Sequence, residues 1–288
     1  MSGRVRIVIP DDHPPVFAGT DALDALHELG EVALYETPAP SRDLVVERCR
    51  DAAFVVNIRS ITPFDAETLA ALPLLRLIAV FGAGTDNIDL AAATRQGIAV
   101  ANAPGANARS VAEHAFALLL AVARAVPAYD RDVRVGLWQH SYEGLELEGK
   151  TLGLLGLGQI GGHVARIATG FGMRVLAWSR STDEARAARL GVEQASLNTV
   201  LVSADAIVVE DALVAALRTG ALRGAGLDVF ATEPLPLSSP LRDPPNLVLT
   251  PHAGWATREA RQRLLRSPVE NIRAFLDGQP KNLVGTGR

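Results

Sequence analysis

Residues 151–161 read TLGLLGLGQIG, and this stretch decides the fold. A short apolar run, residues 151–155, leads directly into Gly156-Leu157-Gly158-Gln159-Ile160-Gly161, and residues 161–171 then carry a helical pattern. A strand, a glycine turn and a helix in that order form the dinucleotide-binding pattern in its proper setting. Gly156 permits the tight turn, Gly158 lets the backbone approach a pyrophosphate, and Gly161 lets the helix pack closely on the strand. The helix start, with Gln159 and Ile160, offers amide N–H groups and a partial positive charge to the phosphates. Out of context such a turn can bind nothing; between a strand and a helix it predicts dinucleotide binding.

The next apolar run, residues 174–178, ends on Ser179-Arg180. A site selective for NAD carries Asp or Glu about 20 residues past the glycines, where it accepts from both ribose hydroxyls. No carboxylate stands at this strand end. Arg180 can pair with a 2′-phosphate, or it can stack on adenine or face solvent. Ser179 and Arg180 therefore tilt the expected NAD(P) cofactor toward NADP.

Working outward, similar runs recur at residues 5–9, 53–58, 77–81, 98–101, 206–209, 226–230 and 247–250. They are rich in Val, Ile and Leu and do not alternate with polar residues, as parallel strands buried on both faces do not. Helical patterns lie between them at residues 20–29 (capped by Thr20 and ended by Gly30), 111–126 (stopped by Pro127), 211–218 and 257–276. Strand and helix in alternation predict an α/β fold with two domains, each a parallel sheet flanked by helices. The second is a Rossmann dinucleotide-binding domain. The expected boundaries are 1–102 plus 278–288 for the first domain and 103–277 for the second. Residues 126–150 show no strand pattern and read as an arm.

Composition narrows the function. The chain has 288 residues, is 48% hydrophobic and 21% charged, and has a net charge of -4. That is enough apolar residue for a sizeable core. The longest apolar run, residues 115–123, is far short of the ~20 residues that span a bilayer. The pI near 5.9 offers no general attraction to nucleic acid or anionic membrane. Cys49 is the single cysteine, so no intrachain disulfide forms, and a cytoplasmic setting is expected. No ligand spacing of the HExxH or CxxC kind points to a metal. His13 beside Asp11 and Asp12 fits a Pro-rich turn better than a metal site. His114 reads as a packed or interface residue.

Two further strand ends carry chemistry. Residues 226–230 (GLDVF) precede Thr232-Glu233-Pro234, and residues 247–249 precede Thr250-Pro251-His252-Ala253-Gly254-Trp255. Ligands bind beyond the carboxyl ends of strands in such sheets. A histidine can give or take a hydroxyl proton near neutral pH, and a carboxylate beside it orients the ring. A histidine after a strand is, on its own, more often structural.

With these motifs in order, the sequence resembles the D-isomer-specific 2-hydroxyacid dehydrogenases, of the glyoxylate/hydroxypyruvate reductase or phosphoglycerate dehydrogenase kind, over almost its whole length. The resemblance rests on residues 81–89 (FGAGTDNID), 102–105 (NAPG), 111–114 (VAEH), the glycine turn, residues 226–230, Glu233-Pro234 and Pro251-His252. It implies hydride transfer between a nicotinamide cofactor and a small 2-keto or D-2-hydroxy acid. By position it implies His252 as the acid/base and Glu233 as its partner. Asp228 falls near the nicotinamide carboxamide, the N–H groups of Ala83 and Gly84 on the substrate carboxylate, and Ser60 on the substrate side of the cleft. The first domain becomes the substrate domain, and a homodimer is implied.

One part departs from the family. The family has a strand ending in Asn-Thr-Xaa-Arg-Gly, whose Arg holds the substrate carboxylate. Here residues 203–209 read as the preceding strand and run straight into residues 210–217, which read as the helix beyond that motif. A helix and a strand, about 30 residues or more, have no counterpart, so the Rossmann domain is expected to be shortened at Val209-Glu210. Losing the Arg removes charge-assisted hydrogen bonds worth about 1.5–3 kcal/mol each. A naturally shortened gene, an engineered deletion and an omitted segment all fit. The alternative to an active dehydrogenase is a catalytically impaired NAD(P)-binding sensor or corepressor-like module.

Overall fold

The computed structural model describes residues 4–58, 62–181, 183–203, 217, 224–244 and 247–285. The chain divides into two compact units, Met1–Asn107 with Arg258–Arg288, and Ala108–Thr257.

The first unit begins with β1 (Arg6–Ile9), α1 (Asp21–Leu29), β2 (Glu31–Leu34), α2 (Arg42–Cys49), β3 (Phe54–Asn57), α3 (Ala66–Ala70), β4 (Leu77–Val80), α4 (Leu90–Arg95) and β5 (Ala99–Ala101). Every residue of β3 and β4 is buried, as expected for central parallel strands covered on both faces. The helix starts are set by local side chains. Thr20, Asp65 and Asp89 each accept from a backbone N–H in the first turn of α1, α3 and α4. Asp12, fully buried, accepts from the N–H groups of Val16, Phe17 and Ala18 at 2.7, 3.0 and 2.9 Å. The acidic pair after β1 therefore builds a turn.

The second unit opens with α5 (Ala108–Ala123) and α6 (Val126–Arg134). Proline does not end α5, contrary to expectation. The chain breaks at Ala125, in the left-handed region, and Pro127 falls in the first turn of α6, where a missing N–H costs nothing. Then follow β6 (Thr151–Leu155), α7 (Gln159–Gly170), β7 (Arg174–Trp178), α8 (Glu184–Leu190), β8 (Glu193–Gln194), α9 (Leu197–Ser203), β9 (Ala225–Leu227) and β10 (Leu247–Leu249). Among the described residues β6, β7 and β8 form one parallel sheet, and β9 pairs in parallel with β10. Leu152, Val164, Ala165, Ala168, Val175 and Ala177 join β6, β7 and α7 in one core. The expected strand at 206–209, the helix at 211–218 and the junction at Val209-Glu210 lie outside the described residues, apart from Leu217, which is helical and buried.

The chain then returns to the first unit through α10 (Arg258–Leu276) and β11 (Leu283–Val284). The first unit's sheet has the order β11-β5-β4-β3-β1-β2 and is parallel except for β11 against β5. The expected boundary at 277 is thus corrected: α10 belongs to the first unit. Its apolar face, with Leu264, Leu265, Val269 and Ile272, is buried there, and Phe275 meets Phe54 of β3 edge to face at 5.7 Å. Among the described residues no single helix is long and apolar enough to cross a membrane.

Candidate active site

The glycine turn follows β6 as the sequence predicts. Gly156 has φ +111°, which side chains rarely adopt, and a Cβ on Gly161 would lie 2.1 Å from the Gly156 carbonyl oxygen. A Cβ on Gly158 would meet nothing within 4 Å. Space therefore stands open over the turn where a phosphate would approach. The N-terminus of α7 begins there with no side-chain cap, and Gln159 and Ile160 are exposed. Such a helix start suits an anion, so these residues fit a dinucleotide. Beyond β7, Ser179 donates to the Ser181 carbonyl at 2.8 Å, and Arg180 is exposed. Arg186, which sequence reasoning missed, donates from α8 to the Gly158 carbonyl at 2.9 Å and brings a cation to the turn.

The acid–base pair grows from the carboxyl ends of β9 and β10, in the same unit. His252 Nδ1 donates to Glu233 Oε2 at 2.8 Å, and Glu233 Oε1 accepts from the Phe230 N–H at 2.9 Å. This fixes the ring orientation and its tautomer and leaves Nε2 for a ligand. Burial pushes the Glu233 carboxyl up. The hydrogen bonds from His252 and Phe230 and the charge of His252 outweigh it, so the group sits below the usual carboxylate value. His252 itself has φ 53°, a left-handed conformation uncommon for a residue with a side chain.

Asp228, expected near the nicotinamide, grips the histidine loop. Its carboxylate accepts from Thr250 Oγ1 at 2.6 Å and from the N–H groups of Ala253 and Gly254 at 2.7 and 2.8 Å. His114 Nε2 lies 3.3 Å away. Burial raises this carboxyl, but the three hydrogen bonds and His114 bring it below its usual value. His114 is therefore part of this network, together with Thr250 and Ser110, which sequence reasoning did not single out. Ser110 and His114 find their partners in Gly254 and Thr250, more than a hundred residues away in the chain, and no local pattern marks that contact.

The first unit has a loop of its own at residues 82–84. Asn102 Nδ2 donates to the Ala83 carbonyl at 2.8 Å, and the Ala103 N–H to the Gly82 carbonyl at 2.7 Å. The loop backbone is thereby held with Ala83 and Gly84 exposed. Ser60 lies outside the described residues.

Comparison with known proteins agrees with this geometry. The model of the D-isomer specific 2-hydroxyacid dehydrogenase catalytic domain matches residues 14–285. A glyoxylate reductase of Korarchaeum cryptofilum is 37% identical over 305 positions, covering 91% of this chain and 92% of that protein. Those 305 positions are more than 91% of 288 residues can fill, so the relative carries residues with no counterpart here. A D-3-phosphoglycerate dehydrogenase of Mycobacterium bovis is 40% identical over 83% of this chain, which spans only 52% of that enzyme. The NADPH-dependent glyoxylate/hydroxypyruvate reductase of Sinorhizobium meliloti, a crystal structure, superposes with a TM-score of 0.83 at 28% identity, over 98% of this chain and 97% of that one. The chain belongs to the D-isomer-specific 2-hydroxyacid dehydrogenases, oxidoreductases that move a hydride between a nicotinamide cofactor and a 2-keto or 2-hydroxy acid.

Proposed function

We propose that this chain reduces a small 2-keto acid of the glyoxylate or hydroxypyruvate kind, using NADPH in preference to NADH and acting as a homodimer. The observation that carries the reading is the His252–Glu233 pair at 2.8 Å, in the unit that holds the glycine turn. A bound nicotinamide cofactor would supply the hydride. His252 gives the proton from Nε2 to the carbonyl oxygen, and Glu233 stabilises the ring in its charged form. Gly156, Gly158, Gln159, Ile160 and Gly161 would hold the pyrophosphate through backbone amides. Exposed N–H groups of Ala83 and Gly84 suit a carboxylate, because small residues leave the amides open.

The matching relatives include glyoxylate reductases, which supports a small 2-keto acid. NADPH is supported by Ser179-Arg180, with no carboxylate at the end of β7. The exposed Val133, Val135, Leu137 and Trp138, the last 85% exposed, support self-association through the segment around the end of α6. The missing Arg motif predicts weak substrate binding.

Initial rates with glyoxylate, hydroxypyruvate and pyruvate, each with NADPH and NADH, test the reading. The expected result is reduction of at least one acid, with a millimolar-range KM and higher kcat/KM for NADPH. Cofactor binding without turnover on any of the three acids would overturn it.

A further inference from the structure

One stripe of α5 meets the histidine loop at both ends. Ser110, His114 and Leu118 follow one another at four-residue spacing and share a helix face. Leu118 seats the helix on β9: a Cβ on Gly226 would come within 2.7 Å of Leu118 Cβ. From the same face Ser110 Oγ donates to the Gly254 carbonyl at 2.5 Å, and His114 Nε2 meets Thr250 Oγ1 at 2.9 Å. Thr250 and Gly254 bracket the loop, with His252 midway between them.

The proton count fixes the direction of each bond. A carboxylate only accepts, so the Thr250 hydroxyl gives its one proton to Asp228 across 2.6 Å. His114 Nε2 must then be the donor to the Thr250 oxygen. The relay runs from the His114 N–H through the Thr250 hydroxyl to Asp228, which also binds the N–H groups of Ala253 and Gly254. His252 holds φ 53° inside this bracket. A left-handed conformation at a residue with a side chain persists only where the surroundings impose it.

We propose that Ser110 and His114 are positioning residues for His252. They clamp the two ends of its loop to α5 and so aim the Nε2 atom that gives the proton. This rests on the reading of His252 as proton donor.

The test uses four variants of the full chain. His114→Phe and Thr250→Val break the relay with little change of shape, His114→Gln keeps an N–H at the Nε2 position, and Ser110→Ala frees the Gly254 carbonyl. For the first two, kcat with a 2-keto acid should fall about 10- to 100-fold, as small misplacements of reacting groups do. The KM for NADPH should stay within about twofold, the pH profile of kcat should move, and the His252 ring titration read by NMR should shift. His114→Gln should recover most of the activity, and Ser110→Ala should show a smaller change of the same sign. Folded Phe and Val variants with the parental kcat, pH profile and ring titration would overturn the proposal. So would a Gln variant as impaired as the Phe variant, since that would point to packing alone. Should His114→Phe not fold, Thr250→Val decides. If the parent turns over no 2-keto acid, the functional reading falls, while the NMR titration still decides whether α5 sets the state of His252.

Discussion

At the end of β1, Asp11 and Asp12 lie beside His13; at the ends of β9 and β10, Asp228 and Glu233 lie beside His114 and His252. The residue types match and so does the position in a parallel sheet, but the uses differ. Both carboxylates after β1 are buried and accept from backbone N–H groups of nearby turns, with Thr62 and Ala39 completing Asp11. In the second unit each carboxylate faces a histidine ring as well as backbone donors, and His252 remains more than half exposed. Saturation by backbone makes structure. A carboxylate that orients an exposed imidazole makes a proton donor.

The sharpest way to break this contrast is His252→Gln. Turnover should fall by roughly 10²–10⁴, the usual worth of a general acid, with little change in thermal melting. A fully active variant would remove the distinction between the two clusters. Asp12→Ala should do the reverse and destabilise the first unit by about 3 kcal/mol, because several buried N–H groups lose a charged acceptor. Chemical denaturation reads this directly. Cys49 gives a local readout: burial, opposed by Arg48, pushes its thiol up to about 12, so alkylation should be slow in the parent and faster in the variant. Unchanged stability and unchanged alkylation would show that the turn does not depend on Asp12.

The smallest effect concerns acid. Asp228 and Glu233 are held below their ordinary values of 3.8 and 4.5. Folded, they bind protons less readily than unfolded, so their contribution is full above those values and is lost as pH falls through the lower folded ones. The loop at 250–254 should therefore loosen below about pH 4, seen as a change in Trp255 emission. Asp228→Asn should flatten that transition, and an unaltered transition would place the acid sensitivity elsewhere.

Much of this was legible in the sequence because it is local. The runs TLGLL and RVLAW give β6 and β7 with their exact ends, and Thr20 and Gly30 bracket α1 as read. What escaped depends on distant partners. EVAL, residues 31–34, is too short and too polar at its start to stand out, yet it pairs with β1 along its length. Leu283–Val284 is a strand only because β5 offers it an edge. The helix α10 carries an apolar stripe that any core would accept, so sequence order placed it in the wrong unit. At the site, His252 and Glu233 could be paired only through family resemblance, since 19 residues separate them. Ser110 was missed, and His114 was read only as a packed or interface residue, because nothing nearby in the chain marks a helix face that will meet a loop over 130 residues later.

The interruption of the first unit has a consequence for synthesis. Its sheet needs β11, and its helical cover needs α10, but both leave the ribosome after the whole of Ala108–Thr257. The nucleotide-binding half can thus mature on a nascent chain whose older half still shows an open edge at β5. Bare edges of this kind recruit other strands, so residues 258–285 act as a late seal, and the interval before they arrive is when the growing polypeptide most needs a chaperone.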